Sequence, residues 1–206
     1  MKPSPAIADY DAKAAVLVPS WRKLDLLEVH APVLHLMPEK PSRILDIGAG
    51  AGGDAGWYAG LGHSVLAVEP ADGLRLAGMA EHSGPNIEWL DDSLPHLADV
   101  LARGETFDLV TLTAVWAHLT HEQRAIAVPN IAALMGGGAR LIMSVRNGWT
   151  PPERPTWEAR PEETIRFAEA EGLELIFQTT TESIQPINQS NGVTWTWLAF
   201  EKRSCV

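Results

Sequence analysis

The feature that most restricts the fold of this chain is the alternation, through its centre, of short apolar runs with stretches patterned as helices. RILDI, SVLAV, FDLVTLT and ARLIMSV are rich in branched aliphatic residues and end in glycine, proline or polar clusters. Runs of that kind read as buried strands, and strands alternating with helices form a parallel sheet covered on both faces. The pattern predicts strands over 43–47, 64–68, 86–90, 107–113, 139–145, 173–180 and 193–201. Helices are expected over 53–61, 71–81, 93–102, 121–135 and 162–171. The last two strands follow one another with no helix between them, which predicts an antiparallel finish.

Ahead of the first strand, LDLLEVHAPVLHLM (24–37) places Leu26, Leu27, Val33, Leu34 and Met37 at helical spacing, with Pro32 dividing the helix. This segment reads as a helical cap. TPPERP (150–155) reads as a stiff surface loop after the fifth strand.

Composition narrows the function classes. At 46% hydrophobic and 20% charged, with no apolar run near the ~18 residues of a membrane span, the chain is expected to be soluble. MKPSPAIADYD lacks the apolar block of a secretory signal, so the expected compartment is the cytoplasm. A net charge of −10, with 16 Lys and Arg against 26 acids, argues against a nucleic-acid partner, whose phosphates demand clustered cations. The acid surplus suits either solubility or a cationic ligand. The single cysteine, Cys205, allows no intrachain disulfide and no cysteine metal site.

The most specific local signal is RILDIGAGAGGDA (43–55), where a strand ends at Asp46-Ile47 and turns through Gly48, Gly50, Gly52 and Gly53 into a helix. Glycine permits the tight turn and lets a ligand lie on bare backbone beside unpaired helix N–H groups. A nucleotide-type ligand is expected, although Gly48, Gly50 and Gly53 also satisfy the dinucleotide pattern G-x-G-x-x-G. In SVLAVEP, Glu69 emerges at the end of the second strand, where a carboxylate can accept from both hydroxyls of a ribose. Asp46 separates the readings. A pyrophosphate at a helix N-terminus disfavours a carboxylate beside it, whereas a ligand with positive charge welcomes one. A nicotinamide-dependent oxidoreductase remains an alternative, although a chain of 206 residues leaves little room for its usual substrate domain.

Five segments in order, DIGAGAG (46–52), VLAVEPADGLR (65–75), WLDDSLP (89–95), FDLVTLTAVWAHL (107–119) and LMGGGARLIMSVRNG (134–148), resemble the motifs of class I S-adenosylmethionine-dependent methyltransferases. The resemblance covers about residues 10–201. It implies a three-layer, Rossmann-like α/β fold with a seven-stranded, mostly parallel sheet and an antiparallel strand 7 inserted between strands 5 and 6, plus the N-terminal helical cap. A single domain is expected, with a cap or lid over 1–40, a cofactor-binding core over 41–148, and a C-terminal helix with the final two strands over 149–206.

Carried over by position, the resemblance puts Gly48, Ala49 and Gly50 against the methionine part of S-adenosylmethionine, with Asp46 near its amino group. Glu69 is implied at the ribose and Pro70 beside the adenine. Asp92, or Asp91 if the register is one residue off, is implied at the adenine amino group, with the Ser93 backbone at the ring edge. Thr113, Ala114 and Val115 are implied near the sulfonium and carboxylate tail. Two departures are visible: Met135-Gly136 stands where the family commonly has Lys-Pro, and Pro129 should distort the preceding helix.

The sulfonium makes its methyl electrophilic, so positioning an acceptor in line carries most of the rate, and a base is needed only if the acceptor must lose a proton. His118 is the first candidate; with His121 it makes a poor metal pair because a third ligand is lacking, and no metal is expected. Acceptor recognition is expected from Tyr10, Trp21, Arg22, Trp116, Arg146, Asn147 and Trp149; the aromatic rings among them suit a small, partly planar or cationic acceptor, and a peptide or protein side chain is the other acceptor class. A third reading keeps the cofactor as a structural ligand of a non-enzymatic partner protein.

Overall fold

In the computed structural model, which describes residues 4–151 and 154–204, the apolar runs pair into one seven-stranded sheet. Its strands are β1 (Arg43–Ile47), β2 (Ser64–Val68), β3 (Ile87–Leu90), β4 (Phe107–Leu112), β5 (Met135–Asn147), β6 (Leu173–Glu182) and β7 (Thr194–Lys202). They lie in the order β3-β2-β1-β4-β5-β7-β6. The pairs among β1 to β5 are parallel, and β7 runs antiparallel to both β5 and β6. The antiparallel strand therefore sits where the motifs implied.

Strand period explains the two-sided core. Neighbours in a strand face opposite ways, so Ile44 joins Val65, Leu109 and Ile142 on one face while Leu45 joins Leu66, Val110 and Leu141 on the other. Helix α3 (Gly53–Gly60) covers the first face through Ala55 and Tyr58. Helices α5 (Ala98–Ala102), α6 (His121–Ala133) and α7 (Pro161–Ala170) cover the second through Val100, Ile131 and Ala168.

Strand order also places the site. The chain moves outward from β1 to β2 and β3, then returns to lay β4 on the other side of β1. Loops after β1 and β4 leave in opposite directions at their carboxyl ends, which opens a crevice. Over it lies α1 (Pro5–Trp21), whose Ala14 and Val18 pack on Ala71 and on Leu74 of α4 (Asp72–Glu81).

Several boundaries differ from the sequence pattern. The long cap helix is α1, not 24–37: Ser4 caps it by accepting from Ile7 N, and Pro5 opens it. Residues 24–37 instead hold the five-residue α2 (Leu26–His30) and a 3₁₀ turn at Leu34–Leu36, separated around Pro32. The expected helix over 93–102 keeps only α5; Pro95 and the left-handed Leu97 (φ 47°) occupy its first half. Strand β5 reaches back to Met135, because Met135 pairs with Phe107 and ends α6 early. Helix α6 continues through Pro129. A four-residue helix α8 (Pro186–Gln189), too short to leave a periodic pattern, joins β6 to β7. Thr150, Pro151, Arg154 and Pro155 lie outside helices and strands; Pro152, Glu153 and Cys205 fall outside the described residues.

Candidate active site

The glycine loop is held against β2 by its own backbone: Gly48 N and Ala49 N both donate to Val68 O, at 2.8 and 3.0 Å. Gly48 has φ +74°, and a Cβ there would stand 2.4 Å from Val115 Cγ2 in the loop after β4. Gly50 has φ +58°, and a Cβ there would meet the Trp21 ring at 3.3 Å. The loop is therefore bare because two segments close on it, the loop after β4 and the end of α1.

Carboxylates surround this floor. Glu69 is buried, and its two oxygens accept from Gly50 N and Ala71 N, each at 2.8 Å. Burial pushes the Glu69 carboxyl up, against the pull of those amides and Arg75. Asp46 lies at the end of β1, where one oxygen accepts from Thr111 Oγ1 at 3.0 Å and the other, Oδ2, has no partner. Burial first, and the Asp54 carboxylate second, raise the Asp46 carboxyl well above its usual range. Asp54, in the first turn of α3, accepts from Thr113 Oγ1 and from the His30 ring, both at 2.9 Å. His30 is itself buried and stacked on Trp57, with centroids 5.2 Å apart.

The opposite half of the crevice carries other chemistry. His118, at the end of a 3₁₀ turn after β4, has Nδ1 3.2 Å from Pro155 O and Nε2 3.0 Å from Tyr10 Oη. A carbonyl can only accept, so Nδ1 bears the proton and Nε2 accepts the Tyr10 hydroxyl. Burial lowers the His118 pKa, opposed by Pro155 O and Asp9 and aided by Arg154 and Arg146. Arg154 lies 4.1 Å over the Tyr10 ring. Ala114, between the two halves, has φ +62° and donates its N–H to Ser144 Oγ at 2.9 Å. A non-glycine residue in that region is strained and persists only where its surroundings hold it.

The whole crevice encloses about 1730 Å³. Pockets for one drug-sized ligand run to roughly 300–1,000 Å³, so this crevice has room for more than one ligand.

Most expected site residues converge here: Asp46, Gly48, Ala49, Gly50, Glu69, Pro70, Ser93, Thr113, Ala114, Val115, His118, Tyr10, Trp21, Arg146 and Trp149 all line the crevice. Arg22 lines its rim, held by Glu81 at 2.7 Å. Three do not reach it. The Asp92 carboxylate accepts from Ser93 N, Asp99 N and Val100 N at 2.7, 2.9 and 3.0 Å, which makes it the cap of α5, while Asp91 lines the crevice. Trp116 is 1% exposed and donates Nε1 to Thr164 Oγ1 on α7, a core position. Asn147 follows Arg146 on β5 and so faces the other side, donating to Thr194 and Thr196 hydroxyls. His121 also turns away, pairing with Glu163 at 3.2 Å.

Sequence reasoning missed Asp54, Trp57, Ser144, Arg154, Trp195 and Trp197, all lining residues. Asp54 looks like an ordinary acid complementing a helix N-terminus. The tryptophans had a usable signal: in TWTW, alternation puts both rings on one face of β7.

A glycine-floored crevice at the switch point of a sheet, with an acid closing β2, defines an α/β protein built around a nucleotide-type cofactor. A family profile described as a methyltransferase domain matches residues 21–181, and the chain belongs to that family. It is an S-adenosylmethionine-dependent methyltransferase of class I, which replaces the oxidoreductase and non-enzymatic alternatives.

Solved structures share the fold. A 1,6-didemethyltoxoflavin-N1-methyltransferase from Burkholderia thailandensis aligns with a TM-score of 0.77 at 18% identity, over 98% of this chain and 88% of its own. The N-methyltransferase NodS from Bradyrhizobium japonicum gives 0.73 at 17%, over 97% and 99%. The magnesium protoporphyrin IX methyltransferase of Synechocystis gives 0.70 at 14%, over 98% of both chains. Among the curated proteins, a sequence search finds no match. Among the described residues, no helix is long and apolar enough to cross a membrane.

Proposed function

We propose that this enzyme methylates a small molecule in the half of the crevice between α1 and the loops after β4 and β5, with the cofactor on the glycine loop. The observation that carries this reading is that one crevice is lined both by the glycine loop with Asp46, Asp54 and Glu69 and by His118 with Tyr10, Arg146 and Arg154. The residues of the first set fit the cofactor. Asp46 Oδ2 is a buried acceptor with no partner, and Asp46 lines the crevice beside Gly48, Ala49 and Gly50. Asp46 would hold the amino group, Glu69 the ribose, Pro70 and the Ser93 backbone the adenine, with Asp91 in place of Asp92 at its amino group. The backbone of 113–115 would border the methionine tail.

Bound there, S-adenosylmethionine supplies a methyl group already electrophilic through its sulfonium. The chain's own residues orient the acceptor, exclude water beneath α1, and receive a proton. His118 Nε2 holds the receiving lone pair, and its Nδ1–H on Pro155 O fixes the tautomer that exposes it. Tyr10, donating to that lone pair, covers the base until an acceptor N–H or O–H takes its place.

Calorimetric titration with S-adenosylhomocysteine tests the assignment. Glu69→Ala should weaken binding at least about tenfold, since a buried carboxylate loses charge-assisted bonds worth ~1.5–3 kcal/mol. Unchanged affinity removes Glu69 from the site.

A further inference from the structure

Two guanidiniums, those of Arg146 and Arg154, line the crevice beside His118 and Tyr10. We propose that the methyl acceptor is a planar organic anion, an aromatic or heteroaromatic compound bearing a carboxylate, gripped by Arg146 with Arg154 as second cation; this rests on the methyltransferase reading above. Arg146 lies two residues beyond Ser144 on β5 and shares its crevice-facing side. Its guanidinium stands 5.3 Å from the ring of Trp195, its cross-strand partner. Nε and Nη2 donate to Trp149 O at 3.1 and 2.8 Å, and Nη2 also to Asn188 Oδ1 at 2.9 Å. These neutral acceptors fix the direction of the group without cancelling its charge.

Among the described residues no carboxylate pairs with Arg146; Glu182, exposed on the rim, makes no ion pair with it. Arg154 keeps Asp9 at 3.0 Å, so its charge is partly met. Behind burial, both guanidiniums act to lower the His118 pKa while Asp9 acts to raise it, so both cations lie within electrostatic reach of the imidazole. The carboxylates Asp46, Asp54 and Glu69 cluster at the glycine loop and make no ion pair with either arginine. A half-buried cation without a counter-ion is an incomplete site, and an anionic ligand completes it. The aromatic lining alone suited a planar or a cationic acceptor. The guanidiniums disfavour the cationic one, because like charges brought together at a binding surface repel.

The test is isothermal titration of the wild-type chain saturated with S-adenosylhomocysteine, using the isomeric hydroxybenzoates, the matching hydroxybenzamides and the matching hydroxybenzylamines. At least one hydroxybenzoate should bind about tenfold or more tightly than its amide and its amine. Arg146→Met should erase that margin and Arg146→Lys should keep part of it. Equal or tighter binding of amide or amine, no binding of any hydroxybenzoate, or a margin that survives Arg146→Met overturns the proposal. The ligand-charge comparison in the wild type needs no variant to fold, and a merely structural Arg146 would not produce it. Wild-type chain that fails to bind S-adenosylhomocysteine at the outset refutes the methyltransferase reading itself, and is told apart by that first titration.

Discussion

Replacing Asp91 and Asp92 singly by alanine separates a ligand contact from a structural cap one residue away. The Asp92 carboxylate accepts from three backbone N–H groups, two of them at the start of α5, whose Val100 is fully buried in the core. Losing an N-cap costs ~0.5–2 kcal/mol, and bonds to an ionised acceptor are worth ~1.5–3 kcal/mol. Asp92→Ala should therefore lose about 2–3 kcal/mol, which for a chain of this size lowers Tm by about 5–10 °C. Asp91 is 65% exposed, and its Arg75 partner stands at 3.4 Å, so Asp91→Ala should cost at most about 0.5 kcal/mol. Affinity should behave in reverse. Asp91→Ala should weaken S-adenosylhomocysteine about 5- to 30-fold, while Asp92→Ala, measured below its transition, should stay within about twofold. Differential scanning fluorimetry and calorimetric titration read the two quantities independently. If Asp92→Ala weakens the ligand and leaves Tm in place, the cap assignment and the register drawn from it are both wrong.

Two further outcomes follow from buried charges. A carboxyl whose folded-state pKa is raised binds its proton more tightly when folded, so stability falls as pH rises from the ordinary carboxylate range through the raised value. Asp46 is raised by burial and by Asp54, so Asp46→Asn should increase the Tm of the ligand-free chain at about pH 8, with the gain closing toward about pH 4, while weakening S-adenosylhomocysteine. A lower Tm than wild type at alkaline pH would count against the buried charge. For His118, an NMR titration of the imidazole should give a midpoint below the ordinary histidine value of 6.5, since burial leads the causes that lower it. Tyr10, Arg154, Arg146 and Asp9 face or act on the ring, and Arg146→Met should move the midpoint up. A midpoint at or above the ordinary value defeats the unprotonated Nε2.

How much of the site was legible depended on whether a residue's role is local. Gly48, Gly50 and Glu69 could be read because a strand end, a turn and a helix start lie within a few residues of each other, and the backbone geometry between them is short-range. Strand period likewise accounts for Ile44 and Leu45 lying on opposite faces. Helix α1 was missed because its buried positions, Ala6, Ala14 and Val18, are small and sparse, with Val16 left 76% exposed. Its amphipathic signal is weak because it rests on α4 at one edge instead of on the sheet. Asp92 was misplaced because adjacent carboxylates are indistinguishable until one is seen turning back onto the amides of α5. Trp116 had the composition of a binding aromatic and the environment of a core one, a distinction set by α7 arriving from 48 residues along the chain.

The sequence by itself determined the alternating sheet, the glycine turn after β1 and the acid after β2, since each rests on local periodicity or on the steric freedom of one residue. Only the tertiary structure decided which side chains share a space: that Tyr10 reaches His118 across 108 positions, that Arg154 stacks on Tyr10, and that Arg146 is left without a carboxylate among the described residues. Those are contacts between distant segments, and their charges add through space, not along the chain. They bring carboxylates around the glycine loop and guanidiniums around His118 into one crevice.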